Sequence, residues 1–171
     1  MSKEKLVVMF FVLATISCTT QKNVDDGVFY EDFDNLRMWC SEATLTAERS
    51  HSGKFCAYTD ADHHYSLTFN MDLQTAKSYG YKSVNISAWC FKETDEAAVG
   101  LVTSIESPEK SIVYTGADLA GALKIANSWG KLNTFIELPD KFPDGTKLKV
   151  YLNSPKGERA FIDDVQLEFH K

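Results

Sequence analysis

Two carboxylates stand at positions of the sequence where apolar residues are expected. FIDDVQLEF, residues 161–169, alternates like a β-strand, so Asp163 shares a face with the Phe, Val and Leu side chains around it. In VFYEDF, residues 28–33, Glu31 shares a face with two phenylalanines in the same way. A carboxylate in apolar surroundings is costly unless a proton, a hydrogen-bond donor or a cation pairs with it. Calcium, which takes oxygen ligands, is the predicted partner, and a nearby Lys, Arg or Tyr is the alternative.

A second group of candidates consists of aromatic and amide side chains suited to binding a sugar. KSVNISAWCFK (82–92) and TKLKVYLN (146–153) both alternate, and each has one apolar face and one face with aromatic and polar residues. Flat rings against a pyranose, with polar groups for its hydroxyls, can recognise a carbohydrate. We expect both strands to contribute to one concave sheet, and for any single ring packing under a loop is the alternative. The candidate ligand-binding residues are Asn85, Trp89, Phe91, Tyr151 and Asn153, with Lys149 beside the last two.

No pattern typical of a catalytic centre accompanies these residues. The sequence contains no GxSxG, no HExxH and no phosphate-binding loop. It also lacks the alternating Asp and Glu series that jelly-roll glycosidases place along one strand. The sequence therefore predicts a protein that is not an enzyme.

From residue 28 onward the sequence consists of short alternating segments separated by turn residues. The segments are rich in β-branched and aromatic residues, and Gly or Pro stands in the separators HSG, PDGT and SPKGE. Residues 117–128 form the only predicted helix, which Gly121 weakens. This pattern predicts an all-β domain over residues 28–171, folded as an antiparallel jelly-roll β-sandwich. The predicted strands cover residues 28–33, 43–48, 54–60, 65–73, 82–92, 97–105, 110–116, 132–139, 146–153 and 159–170.

The first residues indicate where the protein is sent. A short positive start precedes the apolar run LVVMFFVLATIS, which is too short to span a bilayer comfortably and is typical of a signal peptide. Ile16, Ser17 and Cys18 resemble the end of a bacterial lipobox. The resemblance implies a signal peptide over residues 1–17, a lipid on Cys18 and a polar tether over residues 18–27. We expect a membrane anchor at the bacterial outer membrane or cell surface, and an ordinary signal peptide with a chance cysteine is the alternative.

The net charge and the cysteine content limit which partners and which chemistry are expected. The formal net charge of −6 at pH 7, without a basic patch, argues against a nucleic acid as partner. Besides Cys18, the chain has Cys40, Cys56 and Cys90, so at most one disulfide can form among these three. Their spacing lacks the CxxC pattern of a zinc or redox site. Cys90 shares a face with aliphatic side chains and is predicted to be a core residue.

In order and spacing, four short motifs resemble the carbohydrate-binding modules of the CenC and galactose-binding-domain-like type. They are the first strand VFYE, which ends at Glu31, the turn His51-Ser52-Gly53-Lys54-Phe55, the strand VNISAWCFK and the last strand FIDDV. The resemblance implies a jelly roll with a structural calcium near the junction of the first and last strands. It implies calcium ligands as follows: side-chain oxygens of Glu31 and Asp163, carbonyls of Ser52 and Lys54, and Asp164 in place of Asp163 if the register slips by one.

Together these observations predict a non-catalytic, lipid-anchored, extracytoplasmic domain that binds a poly- or oligosaccharide and contains a structural calcium. The alternative is a jelly-roll subunit whose aromatic face docks a protein partner in a cell-envelope assembly. Exposed, rigid rings in a groove would favour the sugar, whereas a flatter and broader apolar patch would favour the protein partner.

Overall fold

The computed structural model describes residues 27–35 and 44–171, which form two antiparallel β-sheets. All ten predicted strands are present, with bounds that differ by a few residues. The strands are β1 (Val28–Glu31), β2 (Leu45–Thr46), β3 (Cys56–Thr59), β4 (Phe69–Asp72), β5 (Ser83–Lys92), β6 (Gly100–Glu106), β7 (Ser111–Asp118), β8 (Trp129–Glu137), β9 (Lys147–Asn153) and β10 (Ala160–His170). The helices are α1 (Leu73–Ser78) and α2 (Leu119–Ala122).

The two sheets pack face to face, which confirms the predicted antiparallel jelly-roll sandwich. The first sheet has the strand order β2-β3-β10-β5-β8, and β1 also pairs with β10. β3 pairs with residues 160–162 of β10 and β1 with residues 165–168, so two short strands share one edge of the long last strand. The second sheet has the order β4-β9-β6-β7. The N-terminal and C-terminal strands therefore lie together in the first sheet.

The core lies between the sheets and comes from the apolar positions of the alternating strands. Burial of these side chains contributes roughly 25 cal/mol for each Å² of apolar surface removed from water. Cys90 is one of them, as predicted, and burial raises the pKa of its thiol. Cys56 is a second buried free thiol. The residues of β5 and β9 that face this core are Val84, Ile86, Ala88, Cys90, Leu148, Val150 and Leu152.

A β-bulge in β10 overturns the expected surroundings of Asp163. The register between β10 and β5 shifts directly after Asp163, and Asp164 has a positive φ of 46°. Phe161 and Asp163 lie on the outer face of the first sheet, whereas Val165 and Leu167 lie on the inner face. The prediction that one face carries all of these residues was wrong, because a bulge adds one residue to the strand and reverses the alternation beyond it.

The helical segments differ most from the prediction. α1 follows β4 directly and was not predicted; its N-cap is Asp72, whose carboxylate accepts a hydrogen bond from the Gln74 N–H at 2.8 Å. The helix predicted over residues 117–128 is only the single turn of α2, because Leu123 already has an extended backbone. In the described part of the chain no helix is long and apolar enough to cross a membrane. The predicted signal peptide, Cys18 and Cys40 lie outside the described residues.

Candidate functional site

The two groups of predicted sugar-binding residues lie on opposite sides of the sandwich. Asn85, Trp89 and Phe91 belong to β5 in the first sheet, whereas Tyr151 and Asn153 belong to β9 in the second. The outer faces of the two sheets point in opposite directions. The expectation that both strands build one concave sheet was therefore wrong. Alternation identifies the faces of a strand, but pairing between distant segments decides which sheet the strand joins.

Phe91 is a packing residue. It is only 2% exposed and forms a small cluster with Cys56 and Phe161 on the outer side of the first sheet. The Arg49 guanidinium lies 4.3 Å from the centre of its ring, and the Trp129 ring lies 5.6 Å away. The prediction that Phe91 is exposed on the outer face was wrong, because a further layer of side chains covers this end of the sheet.

Trp89 and Asn85 remain on the outer face, with different surroundings. The Trp89 indole is half-buried and stacks on the His51 imidazole, with ring centroids 3.9 Å apart and planes at 14°. One face of the indole is therefore covered by the protein itself. Asn85 is exposed, and its amide nitrogen lies 2.9 Å from His170 Nε2. The open aromatic platform expected on β5 is largely closed.

Tyrosine side chains on the outer face of the second sheet form an open groove. Tyr65 and Tyr114 are each 59% exposed, and Tyr151 is half-buried. The rings of Tyr65 and Tyr151 meet edge to face, with centroids 5.8 Å apart and an interplanar angle of 70°. We call this surface, with Tyr114 at its side, the tyrosine groove. It contains a depression of about 430 Å³ lined by Tyr65, Thr68, Glu106, Lys149 and Tyr151.

The register of three strands places these side chains. β6 lies between β9 and β7, and Ser104 of β6 stands opposite Lys149 on one side and Tyr114 on the other. Val102, also on β6, stands opposite Tyr151. Because neighbouring strands are about 4.8 Å apart, β7 and β9 are about 10 Å apart. Smaller side chains on the central strand therefore form a floor between tyrosines of the two flanking strands.

The charged groups in the tyrosine groove neutralise each other. Glu106 accepts a hydrogen bond from the Lys149 ammonium at 2.5 Å and another from the Ser104 hydroxyl at 2.7 Å. Burial alone would raise the pKa of the Glu106 carboxyl, but these two bonds outweigh it and lower the pKa. Burial raises the pKa of the Tyr151 phenol. At neutral pH the groove therefore combines a paired carboxylate and ammonium with the neutral phenol of Tyr151.

The carboxylate of Asp163 is satisfied by the backbone of one turn and by its own neighbour. Its Oδ2 accepts hydrogen bonds from the N–H groups of His51 and Ser52, at 2.8 and 3.2 Å, and its Oδ1 accepts one from the N–H of Asp164 at 2.8 Å. Burial nevertheless raises the pKa of Asp163 to about 6, against the lowering effect of these donors. Backbone N–H groups thus contact this carboxylate, rather than the Lys, Arg or Tyr side chain that was the alternative to calcium.

Asp164, at the bulge, is held by side chains of the same turn and of β1. Its carboxylate accepts hydrogen bonds from the Tyr30 hydroxyl at 2.5 Å and the Ser52 hydroxyl at 2.7 Å, and lies 2.5 Å from His51 Nδ1. Burial would raise the pKa of Asp164, but these contacts lower it. The bulge therefore aims both carboxylates of the Asp163–Asp164 pair at one turn.

The residues predicted to bind calcium are only partly brought together. Asp163 contacts Ser52, but through the Ser52 N–H rather than its carbonyl. The N–H of Lys54 donates to the Asp34 carboxylate at 2.9 Å, and the buried Glu31 accepts a bond from a backbone N–H two residues along. In the described ranges no three His, Cys, Asp or Glu side chains are close enough together to hold a metal ion. Calcium binding therefore stays a prediction.

The sequence analysis did not identify four residues of the groove, namely Tyr65, Thr68, Tyr114 and Glu106. Alternation places Tyr65 on the same face as the buried Leu67, whereas in the structure Tyr65 precedes β4 and forms an isolated bridge with Asn153. Asn153 is half-buried beside it and does not line the depression. Tyr114 occupies an outward position of β7 that alternation alone would indicate. No local signal shows that β7 and β9 flank the same strand.

Solved structures with the same fold are carbohydrate-binding modules. A C-terminal family 22 module of Clostridium thermocellum Xyn10B matches with a TM-score of 0.55 and 11% identity, over 86% of this chain and 95% of that one. A family 22 xylan-binding domain of Paenibacillus barcinonensis Xyn10C matches with a TM-score of 0.54 and 16% identity, over 83% and 99%. At such identities the likeness establishes the fold. The chain has the jelly-roll fold of these modules.

An enzyme also matches, over part of its length. An arabinose-bound α-L-arabinofuranosidase has a TM-score of 0.50 and 12% identity, and the match covers 85% of this chain but 25% of the enzyme. The likeness therefore concerns one quarter of that chain. No protein-family model and no curated protein matches this sequence.

Proposed function

We propose that this protein is a non-catalytic carbohydrate-binding module whose tyrosine groove binds a neutral poly- or oligosaccharide. One observation carries the proposal: Tyr65, which is 59% exposed, lines an open depression together with hydrogen-bonding groups, and the equally exposed Tyr114 stands on the neighbouring strand at its side. A pyranose ring that packs on a tyrosine removes apolar surface of both from water. The tyrosine hydroxyls, the Lys149 ammonium and the Glu106 carboxylate then form hydrogen bonds with its hydroxyl groups.

The charge of the groove favours a neutral sugar. Lys149 and Glu106 are 2.5 Å apart and roughly equally exposed, so each already has a partner of opposite charge. An acidic sugar would have to compete with Glu106 for Lys149, and a cationic group would have to compete with Lys149. A neutral hydroxyl can bond to either member without breaking the pair.

The comparisons support a glycan of the plant cell-wall type. The matched family 22 domain of P. barcinonensis is described as xylan-binding, and its fold covers most of both chains. A neutral polymer such as xylan is compatible with the paired charges of the groove. Xylo-oligosaccharides are therefore the first ligands to test.

A protein-docking face is the second candidate, and the shape of the groove argues against it. A stable protein interface buries about 800 Å² on each partner and has a largely apolar centre. The groove is about 10 Å between its flanking strands, and a charged pair lines its depression. Such a surface is better suited to a single polysaccharide chain.

Isothermal titration calorimetry with xylohexaose, followed by a panel of neutral glycans, tests the proposal. Tyr151→Ala and Tyr65→Ala should each weaken binding at least tenfold, because each removes a ring that the sugar contacts. The matched control is Tyr79→Ala, a tyrosine 36% exposed at the end of α1, which should leave the affinity unchanged. Thermal unfolding of each variant should remain close to that of the native protein.

Two results would count against the sugar. Glycan affinities within twofold of the native value in both groove variants would show that the groove does not bind the glycan. Absence of glycan binding, together with a partner protein whose binding is lost in Tyr151→Ala, would support the docking alternative.

We further propose that calcium stabilises the junction of β1, β10 and the turn at residues 51–55. The Asp34, Asp163 and Asp164 carboxylates all reach this turn, so the site offers oxygen donors and excess negative charge. Glu31 and Asp163 would bind by their side chains, and Ser52 and Lys54 by their carbonyls. Calcium should raise the midpoint of thermal unfolding, following RT ln(1 + [L]/Kd). Equal midpoints with calcium and with chelator, in protein shown by elemental analysis to be metal-free, would contradict this.

The cellular setting is also part of the proposal. The lipobox-like sequence that ends in Cys18 supports a lipid anchor at the bacterial outer membrane or cell surface. Incorporation of a fatty-acid label that is lost in Cys18→Ser would support the anchor, and equal labelling of both proteins would contradict it. A weak binding face on many anchored copies would gain strength through multivalency.

A further inference from the structure

A second depression lies on the outer face of the first sheet, on the side opposite to the tyrosine groove. It has a volume of about 290 Å³ and is bordered almost entirely by hydrogen-bonding side chains. We call it the polar face and define it by Asn85, Ser87, Lys131, Asn133, Gln166 and Glu168. These residues come from β5, β8 and β10, the three longest strands of the sheet.

The register places five of these six residues in two adjacent rows that cross the strands, and Lys131 stands in the next row, opposite Trp89. Asn133, Ser87 and Gln166 stand directly opposite one another and form one row. Asn85 and Glu168 are paired in the row beside it. Directly opposed side chains in a sheet are about 5 Å apart. The rows therefore present a two-dimensional array of amide and hydroxyl groups at nearly constant spacing.

These groups are available for a ligand. Among the described residues no side-chain hydrogen bond holds Ser87, Asn133 or Gln166, although together they offer several donors and acceptors. Asn85 is positioned by its contact with His170. Lys131 and Glu168 bring one charge of each sign, so the array has no net charge.

Each row ends at an exposed aromatic ring. Phe135 of β8, which is 51% exposed, pairs with Asn85, and Tyr30 of β1, which is 47% exposed, pairs with Gln166. The hydroxyl of Tyr30 is fixed by its bond to Asp164, so the ring has a defined position. β8 and β1 are three strand spacings apart, about 14 Å. Two apolar rings therefore flank a polar floor across that distance.

We infer that the polar face is a second carbohydrate-binding site, specific for a neutral oligosaccharide. Amides and hydroxyls without internal partners match the donors and acceptors of sugar hydroxyls, and the flanking rings match the apolar faces of sugar rings. The inference extends the proposed function to the opposite side of the molecule but stands on different residues. With a site on each sheet, one molecule would link two polysaccharide chains, which single-site binding does not allow.

The test is a titration of the purified, ¹⁵N-labelled protein with xylohexaose and, separately, with β-1,4-galactotriose, followed by amide chemical shifts. Shifts in β5, β8 and β10 report the polar face, and shifts in β6, β7 and β9 report the tyrosine groove. The double substitution Asn133→Ala with Gln166→Ala should weaken the affinity reported by the first set of shifts about tenfold. It should leave the affinity reported by the second set unchanged. Tyr151→Ala should do the reverse. Both polar-face residues are solvent-facing, so the double variant should unfold at nearly the native temperature.

The possible outcomes separate the two claims. Shifts of the polar face that depend on Asn133 and Gln166, and persist in Tyr151→Ala, support the second site whatever the groove does. Shifts confined to β6, β7 and β9 with both sugars overturn the second site and leave the proposed function standing. Polar-face shifts that survive the double substitution also overturn it, because the sugar would then be held elsewhere. Absence of chemical-shift changes in every strand overturns both the second site and the proposed function.

Discussion

The two outer faces of the sandwich differ in what lies above them. On the outer face of the second sheet the Tyr65 and Tyr114 rings are open to solvent, and the buried outward residues of β6 lie between side chains of the flanking strands. On the first sheet the turn at residues 51–55, Arg49 and Trp129 cover one end, so Phe91 is buried and Trp89 is stacked on His51. Aromatic residues at equivalent alternating positions of β5 and β9 thus belong to different environments. Exposure of an outward residue depends on the next layer as much as on its own strand.

The largest effect that separates the two faces is expected at Phe91. Phe91→Ala should lower the free energy of unfolding by about 3–5 kcal/mol, because it leaves a cavity among Cys56, Phe161 and Trp129. Chemical denaturation measures the change. Phe135→Ala, on the same sheet but 51% exposed, is the control and should change stability by less than about 1 kcal/mol. Similar losses for the two variants would show that this end of the sheet is as open as the rest.

A smaller effect is expected at Asp163, whose pKa of about 6 lies above its ordinary value of 3.8. As pH rises from about 4 to 6, the unfolded chain releases this proton before the folded chain does. The free energy of unfolding of metal-free protein should therefore fall by about 2 kcal/mol over that range, and the loss is complete above pH 6. Denaturation curves at several pH values check this.

Asp163→Asn provides the control for that pH dependence. The variant should lack this part of the decline, and calcium should abolish it in the native protein, since a cation beside the carboxylate favours its ionised form. Identical pH dependence in the native protein and the variant would show that Asp163 does not titrate between pH 4 and 6.

Within the tyrosine groove, the Glu106–Lys149 pair should have a moderate effect. Glu106→Gln removes the charge that holds the ammonium and should weaken glycan binding about fivefold, as expected for one polar contact. The pKa of Glu106 is lowered, so its contribution is present at neutral pH and is lost as the pH falls through that lowered value. Calorimetry of native protein and variant checks both points. Unchanged affinity in Glu106→Gln would show that the Glu106–Lys149 pair does not take part in glycan binding.

The smallest effect is expected at Trp89. Because its indole is covered on one face by His51 and lies on the sheet opposite to the groove, Trp89→Ala should leave xylohexaose affinity at the groove within about twofold of the native value. Binding is measured by calorimetry in a variant shown to be folded. A large loss of affinity without a loss of stability would show that Trp89 contacts the glycan. The outer face of the first sheet would then be the one that binds it.

Local patterns predicted the strands well, and long-range contacts account for most of what they missed. The inward positions of β5 and β9 follow from alternation of neighbouring residues, and Val84 and Leu148 are buried as expected. The placement of Tyr114 near Tyr151 depends on the pairing of β6 with both neighbours, which no local pattern encodes. The bulge was missed because it depends on one residue, Asp164, whose type tolerates a positive φ without requiring it.

The bulge in β10 also determines how this domain can change in evolution. Its extra residue lets one strand direct Asp163 outward and Val165 inward while pairing with β3 before the bulge and β1 after it. Loss of a single residue there would turn the whole C-terminal half of the strand over, whereas a change of residue type would alter one side chain. Related sequences should therefore conserve the spacing between Ile162 and Val165 more strictly than the residues that fill it.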